Sequence, residues 1–171
     1  MRRVAPARLD AIARSLLDAS TLFSIATVRP GGKAHVNTAY FAWSDRFDLV
    51  WLSDPSATHS RNLSGSASVA AAVYDSNQSW GGSDRGIQLF GAGRELDRSA
   101  AREAERTYAA RFPAFRDSLR AGYRFFRLRP RRVKLFDEDA LGAGVFVTAA
   151  VAGGRLTWVR TDVHRASGSG R

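Results

Sequence analysis

The chain has 171 residues, of which 44% are hydrophobic, and a formal net charge of +10 at pH 7. This length predicts one domain over residues 1–160, with enough apolar content to bury a core unaided. The absence of cysteine excludes disulfides, thiolate nucleophiles and cysteine-ligated metals.

The positive charge raises the question of a polyanionic partner. All but two of the 26 basic residues are arginine, and many stand beside Asp or Glu as on a solvated surface. No DNA- or RNA-binding signature accompanies them, so an arginine-rich nucleic-acid binder is kept only as a third alternative. No membrane partner is predicted because no window reaches about 18 apolar residues. The N-terminal sequence lacks the apolar segment of a signal peptide, which predicts a cytoplasmic protein.

The N-terminal third alternates helical and strand patterns. Residues 6–19 have apolar side chains at helical spacing. Residues 21–28 are β-branched and apolar, and the Arg-Pro-Gly-Gly turn at 29–32 predicts a hairpin with a return strand over 33–43. A third strand is predicted over 47–52, so the sheet is expected to be antiparallel.

Residues 51–63 form the most informative segment. Its apolar run breaks at Ser53, Asp54 and Pro55 into a short predicted helix that carries His59 and Arg61 among several hydroxyl side chains. A helix start offers unpaired backbone N–H groups to an anion, and these side chains can add hydrogen bonds, so the segment is a candidate phosphate site. The structural alternative is a surface helix capped by Asp54 or Ser56.

The remaining elements are predominantly strands. Strands are predicted over 67–75, over 86–96 with a bend at its glycines, and over 123–138 with a bulge or edge at Pro130. A helix capped near Asp97 and interrupted by Pro113 is predicted over 97–119, and a final hairpin over 145–159. Residues 161–171 are predicted to be a disordered tail. The fold class is therefore mainly β with inserted helices, as a closed or half-closed antiparallel barrel.

Several common chemistries lack their motifs. There is no Gly-x-Gly-x-x-Gly dinucleotide motif, no paired histidines for zinc and no Gly-x-Ser-x-Gly elbow, so no metal site and no catalytic group is predicted. Asn37 and Thr38 interrupt an apolar strand, and Gln88 interrupts another. A ligand that contacts the strands would explain these polar positions. The structural alternative for Gln88 is a core glutamine whose hydrogen bonds are satisfied within the protein.

The order of these motifs resembles the pyridoxamine 5'-phosphate oxidase-like, FMN-binding split β-barrel family over residues 21–96. The resemblance is carried by the NTAYF strand, the SDP…HSRNL segment and the WGG…GIQLFG segment, and it is closest to a less characterised bacterial branch. It implies an antiparallel, Greek-key-like split barrel and a homodimer with FMN between the subunits.

The resemblance also implies which residues bind FMN. The strand at 36–40 would hold the ring and ribityl chain, Ser53 would occupy the hydroxyl position at a strand end, and the following helix would bind the phosphate. Gln88 lies about two residues from the family's glutamine. The implied cofactor-binding residues are Val36, Asn37, Thr38, Ala39, Tyr40, Ser53, Thr58, His59, Ser60, Asn62 and Gln88.

Two departures from the family pattern argue against pyridoxamine phosphate as the substrate. Thr58 and His59 replace an arginine–lysine phosphate pair, and no C-terminal arginine–histidine substrate motif is evident. We therefore expect an FMN-dependent oxidoreductase that acts on a small molecule other than pyridoxamine phosphate. The alternative is a carrier or sensor without turnover that binds flavin, a deazaflavin or haem.

Overall fold

The computed structural model describes residues 3–115 and 122–164. The helices are α1 (Pro6–Asp18), α2 (Thr58–Gly65), α3 (Arg98–Arg111) and α4 (Glu138–Leu141). The strands are β1 (Leu22–Val28), β2 (Ala34–Tyr40), β3 (Ala42–Trp43), β4 (Leu49–Ser53), β5 (Ser68–Tyr74), β6 (Arg85–Glu95), β7 (Arg124–Asp137), β8 (Val145–Ala152) and β9 (Arg155–Val163). None of the helices within these residues is long and apolar enough to span a bilayer.

All strand pairs are antiparallel, in the order β2-β1-β5-β6-β7-β4-β3, and β8 and β9 continue from β7. The sheet curls until β2 approaches β4, but these two strands are not paired by backbone hydrogen bonds. The seam between β2 and β4 makes the barrel a split one, as the sequence predicted.

The barrel interior is filled by large apolar side chains. Trp51 lies at its centre, with ring centroids 5.6 Å from Phe23 and 5.7 Å from Phe126. Helix α1 closes the barrel with its apolar stripe, of which Leu9 and Leu17 are fully buried. The alternation of inward and outward side chains along each strand therefore produces one continuous core.

Helix α3 packs outside the barrel, on β3, β4 and β7. A second buried cluster forms there from Ala104 and Tyr108 of α3 with Val50 and Phe125 of the sheet. The predicted cap is confirmed, because the Asp97 carboxylate accepts hydrogen bonds from two backbone N–H groups of the first turn at 2.9 Å.

A bend in β6 shapes the barrel at Gly91. The register of β6 against β7 shifts between Phe90 and Gly91, and Gly91 lies opposite Pro130. A β-carbon at Gly91 would lie only 2.7 Å from the Pro130 Cα, so the two backbones need a glycine to approach this closely. The predicted bulge at these residues is confirmed.

Some boundaries differ from the prediction. The stretch 33–43 divides into β2 and β3, which pair with different strands, because the chain crosses from β1 to β4 at Phe41. Helix α3 ends at Arg111 because Pro113 cannot continue it, and residues 116–121 lie outside the described residues. Strand β9 continues through Val163, into the predicted tail, of which 165–171 lie outside the described residues.

One side of the sheet carries exposed apolar side chains. We call it the open face: the outward surface of β2, β1, β5 and β6. The strand registers place small residues in its middle, including Ala72 of β5, which lies opposite both Ser24 and Gln88. Around them are large exposed hydrophobic side chains, those of Leu22, Val36, Tyr40, Tyr74 and Phe90.

Candidate cofactor site

Four of the predicted site residues form a buried polar cluster where β4 ends and α2 begins. The Oγ atom of Ser53 lies 2.7 Å from Nε2 of His59 and accepts a hydrogen bond from the Ser60 hydroxyl at 3.2 Å. Asn62 continues the cluster one helical turn later. The spacing of 59, 60 and 62 along α2 turns these side chains toward the end of the barrel, where all are buried.

The surroundings of His59 determine its charge. Ser53 Oγ lies 2.7 Å from Nε2 of His59 and 3.5 Å from the Asp54 carbonyl oxygen, so the Ser53 hydroxyl can donate to either, and both neutral tautomers of His59 fit this contact. Burial lowers the pKa of His59 below its ordinary value, and the nearby His35 lowers that pKa further. The cluster therefore favours a neutral His59 at pH 7.

This lowered pKa makes folding stability depend on pH. Because unfolded His59 binds a proton more readily than folded His59, the free energy of unfolding should fall as pH drops below about 6.5 and level off below the folded pKa. We expect His59→Gln to reduce that loss, measured by urea unfolding between about pH 7.5 and 5.5. An identical pH profile would contradict a buried neutral imidazole, and His164→Gln, on an exposed histidine, is the control.

A second contact ties α2 to the barrel. The Asn62 amide donates to the Thr27 hydroxyl at 2.9 Å, and both side chains are buried. Thr27 is paired with His35 across the β1–β2 hairpin. Sequence reasoning missed Thr27 and His35 as parts of this cluster. The alternation of side chains along the hairpin could have identified them. Thr27 and His35 point to the same side as Ile25, which is the side that α2 covers.

The first turn of α2 presents its backbone without a side-chain cap. The N-cap residue is Ala57, so the predicted caps Asp54 and Ser56 were wrong. Asp54 instead accepts a hydrogen bond from the Ser56 backbone N–H at 2.7 Å and fixes the turn before the helix. The Arg61 guanidinium bonds the carbonyl of Ser56, and Thr58 is half-buried at the first helical position. The helix start thus retains donors for an anion.

The other predicted residues lie on two surfaces. In β2, Asn37 and Ala39 have the inward parity, whereas Val36, Thr38 and Tyr40 belong to the open face. Strand β2 pairs only with β1 within the described residues, which leaves its other edge toward the seam with β4. A planar ligand at this edge can reach both backbone donors and acceptors.

Gln88 is separated from this region. It lies on the open face in β6, and strands β5 and β1 stand between it and β2, a separation of roughly 14 Å at about 4.8 Å per strand. Two further cations are possible phosphate partners by residue type. Arg85 lies 3.0 Å from the Asp137 carboxylate, while Lys33 is exposed before β2. One subunit therefore brings together β2, Ser53 and α2, but not Gln88.

The chemistry of this cluster is that of binding. Its hydroxyl, amide and imidazole groups can hold an anion and orient a polar ring. Within residues 3–115 and 122–164, no group of three or more His, Asp or Glu side chains could hold a metal ion. No carboxylate is hydrogen-bonded to the described side chains of Ser53, His59, Ser60 or Asn62.

Comparison with known proteins agrees with this fold. A family model described as pyridoxamine 5'-phosphate oxidase matches residues 9–137. No curated protein sequence matches significantly.

The chain is similar to many solved structures, including the following three. A heme-binding protein from Mycobacterium smegmatis has a TM-score of 0.66 at 17% identity over 86% of this chain, which spans only 59% of that protein. A FAD-binding protein from Mesorhizobium loti has a TM-score of 0.58 at 18% identity over 77% of this chain and 94% of its own. An F420 reductase has a TM-score of 0.54 at 22% identity over 70% and 94%. At these identities the likeness establishes the fold.

Proposed function

Because the chain belongs to the pyridoxamine 5'-phosphate oxidase-like split-barrel family, we propose that it binds FMN and serves as a flavin-dependent oxidoreductase for a small molecule. The observation that carries this proposal is the buried Ser53–His59–Ser60 cluster, set between the uncapped start of α2 and the free edge of β2. When bound, FMN supplies hydride or electron transfer, and the protein positions it.

The donor set fits a phosphorylated ligand. The Thr58 hydroxyl, the His59 imidazole and the uncapped backbone N–H groups lie at a helix start, where the positive end of the dipole favours an anion. The hydroxyl groups of Ser53 and Ser60 hydrogen-bond within the cluster and hold His59 in place. The exposed Arg61 lies on the same helix and can add charge. The phosphate would be held here, and the ring would lie along the backbone of residues 36–40.

The open face supports a homodimer as part of the same proposal. Five large exposed hydrophobic side chains surround a centre of alanine and serine, which allows close approach of a second sheet. Since β2 contributes to this face, a twofold pairing places the flavin at the subunit interface. The location in the cytoplasm stays a prediction.

The direct test is a titration of the purified full chain with FMN. We expect quenching of flavin fluorescence, and about 2.7 kcal/mol of added stability when free FMN is at about 100 times its dissociation constant. The absence of both effects would contradict the proposal. Titrations with haem and with a deazaflavin under the same conditions compare the alternative ligands.

A sharper prediction concerns the charge on His59. A bound phosphate favours the protonated imidazole, so His59→Ala should weaken FMN binding by about tenfold or more at pH 6 but only a few-fold at pH 8. The dissociation constants of variant and parent are compared at each pH. The FMN phosphate has the same protonation in both titrations, so its own pH dependence cancels from the ratio. His164→Ala serves as the control, and equal losses at the two pH values would show that the charge on His59 has no role.

The second candidate is a carrier or sensor without turnover. It is favoured by the hydrogen-bond partners described for the cluster, which include no carboxylic acid to move a proton. Steady oxidation of reduced nicotinamide or deazaflavin by the FMN-loaded protein, with any acceptor, would exclude this candidate. Stable FMN binding with no such turnover would support it over the enzyme.

A further inference from the structure

A second cavity lies at the opposite end of β4 from the proposed flavin site. It has a volume of about 700 Å³, opens to solvent, and is bordered by the end of α1, the β3–β4 turn, α3 and β7. Asp48 precedes β4 and Ser53 ends it, so the two sites are roughly 17 Å apart along the strand at about 3.3 Å per residue. None of the eleven predicted flavin-site residues lines this cavity.

Arg127 is the central cation of the cavity. Its side chain is only 13% exposed, and its nearest carboxylate is that of Asp48, with Nη1 at 3.7 Å from Oδ2. Within the described residues its guanidinium has no hydrogen bond, although it carries five N–H donors. A buried guanidinium in a protein normally satisfies such donors, so the cavity is where their acceptors are expected.

The carboxylate of Asp48 is shared with a second arginine. Nη2 of Arg129 lies 3.5 Å from the same Oδ2 atom, and the Asp48 side chain is 8% exposed. One buried carboxylate is therefore shared between two guanidinium groups. Burial is the main cause that lowers the pKa of Arg127; Arg129 and Arg94 lower it further, and Asp48 and Glu103 oppose them.

Most of the other carboxylates around the cavity have cationic partners. Asp18 accepts from the Trp43 indole at 3.0 Å and lies 3.8 Å from Arg111, and Asp45 pairs with Arg14 at 3.0 Å. Glu103 of α3 also lines the cavity. In the part of the chain that the structure describes, none of these three carboxylates is hydrogen-bonded to Arg127, although the charge of Glu103 acts on it favourably. They therefore do not supply the acceptors that Arg127 lacks.

The β3–β4 turn holds this arrangement in place. Phe47 has φ of +65°, a left-handed conformation that is costly for a bulky residue, and its ring is fully buried and stacked on Trp43 at 6.4 Å. The backbone N–H of Ser44 donates to the Asp48 carbonyl at 3.0 Å. The strained turn thereby fixes Asp48 between the two arginines.

We propose that this cavity binds a small oxyanion, a phosphate or carboxylate group, through Arg127 and Arg129. The guanidinium of Arg127 offers a planar pair of donors that matches either group, and Arg129, which is 58% exposed, closes the outer side. Trp43 provides an aromatic wall for the rest of the ligand. The site is separate from the proposed flavin site and can serve the substrate or an effector.

The test is calorimetric titration with inorganic phosphate and with glutarate at constant ionic strength. We expect at least one of them to bind the parent protein and its dissociation constant to rise about tenfold or more in both Arg127→Gln and Arg129→Gln. Arg129 is exposed, so its variant tests the proposal even where loss of the buried Arg127 impairs folding. Arg131→Gln, an exposed arginine on the same strand outside this cavity, is the matched control and should bind as the parent does.

His59→Ala separates this site from the flavin site. Phosphate that binds in the second cavity is retained by His59→Ala and lost in Arg127→Gln and Arg129→Gln. The opposite pattern would overturn the second-cavity proposal and would support an anion site at α2. No binding of either probe by the parent protein, or equal binding by all variants, would also overturn it.

Discussion

Replacing Ala72 by arginine is expected to convert the proposed dimer to a monomer and to abolish the proposed FMN binding with it. Ala72 lies in the centre of the open face, opposite Ser24 of β1 and Gln88 of β6. In a twofold dimer the substitution occurs twice, so two guanidinium groups are forced into a small-residue contact. The dimer dissociation constant should rise by at least about a hundredfold, since like charges at an interface cost several kcal/mol.

Analytical ultracentrifugation measures the dimer equilibrium, and fluorescence titration measures FMN binding to the same variant. Ala152→Arg is the matched control because it introduces the same charge on an exposed strand residue, in the β8–β9 hairpin outside the open face. A monomer that still binds FMN with parental affinity would place the flavin within one subunit. A variant that remains a dimer would show that the subunits meet through another surface.

The second large effect is on stability, at Gly91. The variant Gly91→Ala is expected to lose about 3 kcal/mol or more of unfolding free energy, because a methyl group there meets the backbone of Arg129 and Pro130 and the strand must move. For a domain of this size that loss lowers Tm by roughly 10 °C. The rigid ring of Pro130 limits how far β7 can adjust.

Thermal unfolding of parent and variant checks this expectation. Gly65→Ala is the control, since a methyl group at the end of α2 has no heavy atom within 4 Å and should leave stability unchanged or slightly raised. A Tm of Gly91→Ala within about 2 °C of the parent would contradict the close packing of β6 on β7.

The features that the sequence predicted well depend on neighbouring residues. Local conformational preference explains the helical apolar spacing of α1 and the Asp97 cap of α3. It also explains the bulge at Gly91 of β6, which lies opposite Pro130 of β7. The segment from Ser53 to Asn62 was singled out for the same reason, because a strand end followed by hydroxyl-rich residues is a local pattern.

The features that were missed depend on the register between distant strands. The electrostatic effect of His35 on His59, and the hydrogen bond from Asn62 to Thr27, arise because the β1–β2 hairpin lies beneath α2. Nothing near residue 57 in the sequence favours Ala57 as the N-cap. Ala57 takes this position because the Asp54 carboxylate accepts a hydrogen bond from the Ser56 backbone N–H in the turn before the helix. Arg127 is one of several arginines in β7, and the packing of α3 on β7 places it in a cavity.

The seam between β2 and β4 has a consequence for the order in which parts of the molecule open. Strand β2 is held by a single neighbour, β1, so half of its amide groups lack a partner from another strand in the described residues. Exchange of those amide protons with solvent should be faster than in the central strands β1, β5 and β6, each of which has two neighbours. A ligand that lies along residues 36–40 would slow it, so hydrogen–deuterium exchange at this strand reports occupancy even for a colourless ligand.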